Sequence, residues 1–208
     1  MALPTTLTLD TAASPEATAH LNTMLFALQA ALRLPPTSSP ELEACVTDAL
    51  AAYDRYVAHV VAAHPMSCRA GCTACCHDNP RGVTGVELRR LRAAIAEFPD
   101  ADTILAHFAA LAARTTDAAT WRKLREPCPL LSAAGRCRAY DARPIACRAF
   151  FALTPPGQCS PDDPLYESRV NPHLDPPKVL VQALHVLSQR LGLVPSTDLH
   201  AGLGREWP

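Results

Sequence analysis

The stretch Cys68-Arg-Ala-Gly-Cys72-Thr-Ala-Cys75-Cys76 places four thiols within nine residues. Five more cysteines lie elsewhere in the chain: Cys45, Cys128, Cys137, Cys147 and Cys159. Thiolates are soft, strong ligands for zinc and for iron–sulfur clusters, and crowding them lowers the entropy cost of closing the chain around a site. Neither a disulfide nor a buried small side chain requires such crowding. The stretch therefore indicates a site for a metal ion or a metal cluster.

Composition and charge narrow the class of protein. Of the 208 residues 49% are hydrophobic and 19% are charged, which excludes a disordered or fibrous chain. The net charge of −1 gives no general attraction to nucleic acid. No apolar run approaches the roughly 20 residues that span a bilayer. We therefore expect neither a nucleic-acid partner nor a membrane partner, whereas a protein partner stays open.

The expected compartment follows from the first residues, MALPTTLTLD, in which no basic segment precedes an apolar run. We expect no secretory signal and hence a cytoplasmic location. In a reducing compartment, nine cysteines favour metal binding over disulfides.

Apolar residues recur at helical spacing over most of the chain, and prolines separate the segments. Six helical segments are predicted. The first begins after Ser14-Pro15, the second runs from Glu41 to His64 after the cap Ser39, and the third begins after Thr84. The fourth contains Ile104 to Leu111, a short fifth lies near Trp121 and Leu124, and the last runs from Asp175-Pro176 to about Gly192. Thr84 and Glu87 have the spacing of a capping box. No period-two alternation predicts a strand. We predict a mainly α fold: a helical domain with irregular, proline-rich, cysteine-bearing loops that assemble a metal site.

Three regions divide the chain, and we expect them to form one domain. Residues 1–64 hold the N-terminal helices, residues 65–155 the cysteine-cluster region, and residues 156–208 a proline-rich segment with the C-terminal helix. Cys45 lies on the apolar stripe of the second helix, so we expect it to pack in the core. We also expect His59, His64 and His185 to be packed or surface residues and not ligands.

The remaining cysteines fall into two sets. The first has the spacing C-x3-C-x2-C-C, and the second reads Cys128-x8-Cys137-x9-Cys147, with Cys159 further on. Each set has at least three thiols, and together they predict a two-part clamp. Adjacent Cys75 and Cys76 cannot easily reach one small ion from one local conformation. Either one of them is a packing residue, or the site holds two metals or a cluster.

Two familiar patterns share part of this spacing. Radical S-adenosylmethionine enzymes also use C-x3-C-x2-C, but after a barrel strand, whereas a helix is predicted before Cys68. Zinc ribbons need two C-x2-C pairs, which the widely spaced downstream cysteines do not supply. We favour an iron–sulfur cluster, and zinc stays open as the alternative. Four arginines surround the downstream thiols, and we expect them to lower the cysteine pKa values and stabilise the thiolates: Arg136, Arg138, Arg143 and Arg148.

Three motifs in order resemble the YkgJ-type cysteine-cluster family, whose members are described as a zinc- or iron-chelating domain. They are the Cys68–Cys76 stretch, Cys128-Pro-Leu-Leu131, and Tyr140-Asp-Ala-Arg-Pro-Ile-Ala-Cys147-Arg-Ala-Phe150. The resemblance covers roughly residues 65–155. It implies the metal ligands Cys68, Cys72, Cys75, Cys76, Cys128, Cys137 and Cys147. Cys159 or His77 could add an eighth.

Three functions follow as hypotheses. The first is an intracellular metal-binding protein that holds an iron–sulfur cluster or zinc through these cysteines. The second is a redox or group-transfer enzyme that uses the cluster, which would need an open metal position or a polar pocket beside it. The third is a structural zinc module for protein interaction, with a closed, four-coordinate site. The sequence leaves the choice between enzyme and binding protein open.

Overall fold

The computed structural model describes residues 14–63, 68, 71–114, 121, 124–151, 159 and 179–205, together with the backbone of residues 6–8, 171–173 and 178. Within these ranges the protein is mainly helical, as the sequence predicts. The helices are α1 (Pro15–Arg33), α2 (Pro40–Ala62), α3 (Gly85–Ala96), α4 (Ala101–Arg114), α5 (Ile145–Arg148), α6 (Lys178–Arg190) and α7 (Leu199–Gly204). None of these described helices is long and apolar enough to cross a membrane.

Two very short strands, which the sequence did not predict, accompany the helices. β1 (Thr6–Thr8) and β2 (Asn171–His173) pair in parallel, with Thr6 opposite Asn171. Trp121 and Leu124 are helical, in agreement with the short segment predicted there. The division of the chain into three regions stays a prediction.

The predicted helix starts are confirmed by their caps. The hydroxyl of Ser14 accepts a hydrogen bond from the N–H of Ala17, and the hydroxyl of Ser39 accepts one from Leu42. Each cap is followed by a proline in the first turn, where no N–H is needed. The second helix ends at Ala62, slightly before the predicted end at His64, which lies outside the described residues.

Two apolar cores hold the helices together. The first core lies between α1, α2 and α6 and is built around Met24, Tyr53 and Leu184, all fully buried. Half-buried Cys45 packs against it, which confirms the packing role predicted for this thiol. The second core lies between α3, α4 and α7 and contains Phe108.

Helix α3 contributes to both cores. Val86 belongs to the first core, while Leu88, Leu91 and Ile95 belong to the second. The N–H of Val86 donates to the buried hydroxyl of Ser188 on α6 at 3.0 Å. The first turn of α3 is therefore fixed against α6, which matters because the cysteine segments lie on either side of this helix in sequence.

Helix α7 was not predicted, and it ties the C-terminal region to the segment after the first cysteine motif. Its cap Asp198 accepts from the N–H of Ala201 and from the amide of Asn79, both at 2.9 Å. The N–H of Leu199 donates to the carbonyl of Pro80 at 2.8 Å, and Val83 forms an antiparallel bridge with Thr197. Residues 79–83 are thus held in place by hydrogen bonds to residues 197–199.

Candidate metal centre

The first cysteine motif ends in a 3-10 turn, Ala74–His77, that carries the two adjacent thiols. Its backbone is closed by hydrogen bonds from Cys76 N–H to the Thr73 carbonyl at 2.9 Å and from Asp78 N–H to the Cys75 carbonyl at 3.1 Å. The thiols of Cys75 and Cys76 lie close enough to each other to interact, an arrangement that the sequence alone did not indicate.

The second cysteine motif is a short hairpin-like loop. Leu131 and Cys137 form an antiparallel bridge, and Arg138 N–H donates to the Leu130 carbonyl at 2.8 Å. Gly135 turns the chain with a φ of +69°, a conformation that favours glycine. The N–H of Cys128 donates to the carbonyl of Cys76 at 2.7 Å. This bond joins the two motifs, which lie some fifty residues apart, through their cysteine backbones.

The third segment is α5, a single helical turn that carries Cys147. It begins after Pro144, whose carbonyl accepts from the N–H of Cys147 at 2.9 Å and from that of Arg148 at 3.0 Å. Ile145 is buried in the first core, whereas Cys128 and Cys137 pack against the second core. The segments that carry these thiols therefore pack against both cores.

Six of the seven predicted ligands lie near enough for their charges to interact. The charge of Cys147 raises the pKa of Cys75. The charges of Cys76, Cys128 and Cys137 in turn raise the pKa of Cys147. Cys68 acts on Cys75. We call this group the cysteine centre: Cys68, Cys75, Cys76, Cys128, Cys137 and Cys147. All six are partly buried thiols.

The seventh predicted ligand, Cys72, is partly buried but is not among the described thiols whose charges act on the centre. Its neighbour Thr73 lies against the turn at Gly135. His77, a candidate eighth ligand, has its Nδ1 3.2 Å from the carbonyl oxygen of Arg125. Cys159, the other candidate, is a partly buried thiol.

Burial and mutual repulsion make most of the centre hold its protons. Desolvation raises the pKa of Cys128 to about 12 and raises the pKa of Cys137 and of Cys147, because a buried thiolate loses its hydration. Neighbouring thiolates add to each shift. Within the adjacent pair, the interaction of the two thiols raises the pKa of Cys75 and lowers the pKa of Cys76 to about 7. Cys76 is therefore the first of the two to ionise.

The prediction that arginines lower the cysteine pKa values was largely wrong. Arg138 pairs with Asp100 at 2.6 Å and stacks on Phe98, and Arg136 is exposed. Arg148 is buried and bonds to Asp54. Only Arg143 acts favourably on one of these thiols, Cys137, and burial outweighs it.

Carboxylates that are distant in sequence account for this outcome, because they provide the arginines with partners. Asp54 lies on α2 and Asp100 precedes α4, so neither pairing could be read from the neighbourhood of the thiols.

The donor set determines what the centre could hold. Several sulfur donors suit zinc, iron or an iron–sulfur cluster. Within the part of the chain that the structure describes, no three His, Cys, Asp or Glu side chains are arranged as a finished metal-ion site. The chemistry of the thiols fits such a group.

Sequence reasoning missed two residues that border the centre. Glu87 was recognised only as part of a capping box, yet its carboxylate also accepts from the N–H of Ile145 at 2.7 Å. Trp121 is buried and donates its indole N–H to the carbonyl of His77 at 3.0 Å, next to the adjacent thiols. No local pattern marks a hydrogen bond across 58 or 44 positions.

The fold and the centre together define a helical protein with a thiol-rich centre. Residues 67–160, slightly less than half of the chain, match the family model CxxCxxCC, described as "Putative zinc- or iron-chelating domain". The match confirms the resemblance seen in the three motifs and contains all seven predicted ligands. Comparison with curated proteins and with solved structures gave no significant match.

Proposed function

We propose that this protein binds metal through seven cysteines and that the bound group is an iron–sulfur cluster. The ligands proposed are Cys68, Cys72, Cys75, Cys76, Cys128, Cys137 and Cys147. The observation that supports this most directly is the convergence of thiols from three separate segments, with Cys128 N–H bonded to the Cys76 carbonyl. These thiols oppose one another's ionisation, and a bound cation would favour the thiolates instead.

The number and placement of the thiols favour a cluster over a single ion. A structural zinc ion takes four ligands, whereas six thiols interact here and two of them are adjacent in the chain. An iron–sulfur cluster is larger and accepts cysteines spread over more space. When bound, such a cluster would supply one-electron redox chemistry. Zinc remains the second candidate, because the family description names zinc beside iron.

The role we propose is metal handling or electron transfer in the cytoplasm, where a reducing environment keeps thiols available. A groove between α3 and α6 is lined by Thr84, Val181, Gln182, His185, Val186 and Ser196. None of the cysteines is among these lining residues. We favour binding over catalysis because the thiol donors of the centre account for metal binding by themselves.

Metal analysis of protein purified without oxygen tests the proposal. We expect brown protein that contains iron and acid-labile sulfide and absorbs in the visible range. Colourless protein with stoichiometric zinc would overturn the cluster, and protein without metal would overturn the whole proposal.

Paired variants test whether the motifs share one site. The double variant Cys72→Ser, Cys147→Ser should lose its metal, while Cys45→Ser, which changes a thiol packed against the first core, should retain it. Full metal content in the double variant would show that the two motifs do not share a site.

A further inference from the structure

The buried carboxylate of Glu87 makes hydrogen bonds to two separate parts of the chain. Its Oε2 accepts from the N–H of Thr84 at 2.8 Å and from the hydroxyl of Thr84 at 2.7 Å, which closes the capping box of α3. Its Oε1 accepts from the N–H of Ile145 at 2.7 Å. Both oxygens are used, so the carboxylate is held in one orientation between α3 and α5.

Helix α5 depends on this outside partner. Pro144 stands at its N-cap and provides no side-chain cap, so the N–H of Ile145, the first residue of α5, has no acceptor from the cap. Glu87 satisfies the N–H of Ile145, and a carboxylate at a helix N-terminus is electrostatically favoured. Because α5 is only one turn long, fixing its start also fixes Cys147 two residues later.

Arg148 holds the other end of α5. It is 3% exposed, and its guanidinium donates to the carbonyls of Arg143 and Asp141 and to the carboxylate of Asp54 on α2. Cys147 therefore lies on a turn that is anchored to α3 at one end and to α2 at the other. The charge of Glu87 reaches Cys147, so the anchor and the thiol are close neighbours.

We propose that Glu87 is a positioning residue of the cysteine centre: its carboxylate holds the N-terminus of α5 and thereby orients the thiol of Cys147 toward the bound metal. This inference rests on the proposed function. The hydroxyl of Thr84 could cap α3 without Glu87. The hydrogen bond from Ile145 to Glu87 instead stabilises the turn that carries Cys147. Partners of this kind, one step removed from the metal, commonly change its affinity 10–100-fold.

The test compares two variants of one hydrogen-bond network in the full-length protein. Glu87→Gln replaces one carboxylate oxygen by an amide nitrogen, so the side chain can no longer accept from both Thr84 and Ile145 and the link between α3 and α5 is weakened. Thr84→Ala removes the hydroxyl of the capping box but leaves the bond from Ile145 to Glu87. Metal per chain, the half-time of metal loss to excess EDTA, and the melting temperature of the metal-free protein are measured for both.

We expect metal loss to be about 10–100-fold faster in Glu87→Gln, as for other such partners, and near the wild-type rate in Thr84→Ala. In a Cys147→Ser background, Glu87→Gln should bring no further acceleration. If metal loss instead follows the drop in melting temperature equally in both variants, Glu87 is merely structural and the inference is overturned. Wild-type protein without metal would overturn the proposed function itself, and this inference with it.

A second pair of variants tests the same hydrogen bond from the side of its donor, the N–H of Ile145. It replaces the first test if Glu87→Gln does not fold. Ile145→Pro deletes the N–H that Glu87 accepts, and proline is tolerated at the first position of a helix. Pro144 is already extended, with φ −65° and ψ 161°, as a residue before proline should be. Ile145→Val controls for the shortened side chain. Faster metal loss in Ile145→Pro than in Ile145→Val is expected, and equal rates would contradict the inference.

Discussion

Most thiols of the cysteine centre keep their protons for a physical reason that also suits them to a cation. Burial removes the hydration that a thiolate needs, and each neighbouring thiolate repels it, so the pKa of Cys128 rises to about 12 and the pKa of Cys147 also rises. A bound metal ion would attract the thiolates and outweigh both effects. Metal uptake would then release protons and weaken as the pH falls.

His200 is a second buried titratable group, away from the thiols. It is 1% exposed, its ring lies 4.2 Å from that of Trp121 and 5.6 Å from that of Phe108, and neither ring nitrogen has a hydrogen-bond partner. Burial lowers its pKa from 6.5 to about 4, although the charge of Asp198 acts in the opposite direction. The folded protein therefore holds His200 neutral.

We predict that His200 makes the folded state acid-sensitive. Because its folded pKa is below the unfolded value, its contribution is complete above about pH 6.5 and is lost as the pH falls toward 4. The loss can reach about 3 kcal/mol. Urea unfolding of wild type and His200→Leu between pH 4.5 and 8 measures it: the variant should lose less stability toward acid.

The partly exposed His185 on α6 provides a control, because His185→Leu leaves His200 in place and should keep the wild-type profile. Parallel pH profiles of wild type and His200→Leu would contradict the prediction.

At the scale of elements, α7 packs unusually close to α4. A Cβ on Gly204 would lie 2.6 Å from the Cα and 2.8 Å from the nitrogen of Ala109, which are backbone atoms. A Cβ on Gly202 would instead meet the side-chain ends of Leu88 at 2.6 Å. Side-chain ends can shift more easily than a helix backbone, so the two glycines offer a matched comparison within one helix.

We predict that Gly204→Ala lowers the free energy of unfolding by about 2–3 kcal/mol, at the upper end of overpacking costs. Gly202→Ala should cost less. Urea unfolding curves of both variants and wild type measure the difference. Alanine is the better helix former, so a stabilised Gly204→Ala would mean that α7 and α4 do not meet this closely.

The elements could be predicted from the sequence where their signals are local. Ser14, Ser39 and Thr84 lie three residues before the N–H groups that they cap, and all three helix starts were confirmed. Helix α7 was missed because it has only six residues, two of them glycine. What holds it is the approach to Ala109 and the bond from Leu199 to Pro80, which no short-range pattern contains.

The candidate site likewise has features that the sequence predicts locally and features that depend on remote contacts. Motif spacing picked out seven thiols, and in the structure the charges of six of them act on one another. That these thiols bind a metal stays a prediction. The partners of the arginines could not be predicted, since Arg148 and Asp54 are separated by 94 positions. The bond from Ile145 to Glu87 is equally remote. The sequence shows which side chains can bind a metal, whereas the orientation of those side chains depends on tertiary contacts.

At the scale of the whole molecule, the cysteine centre lies where the two cores approach each other. Ile145 of α5 is buried in the first core, Cys128 and Cys137 pack against the second, and α3 contributes to both. The segments that carry these cysteines are short turns with few backbone hydrogen bonds of their own. A metal held by all three segments would therefore cross-link the cores.

We predict that removing the metal lowers the stability of the entire protein. A ligand that binds only the folded state at a hundredfold excess over its Kd adds roughly 3 kcal/mol. For a chain of this size that corresponds to about 5–10 °C in the melting temperature. Thermal unfolding of metal-loaded protein, before and after dialysis against EDTA, measures the shift. Cys45→Ser should show the same shift, and the double variant Cys72→Ser, Cys147→Ser should show none. If chelation removes the metal and the melting temperature stays the same, the centre does not join the two cores.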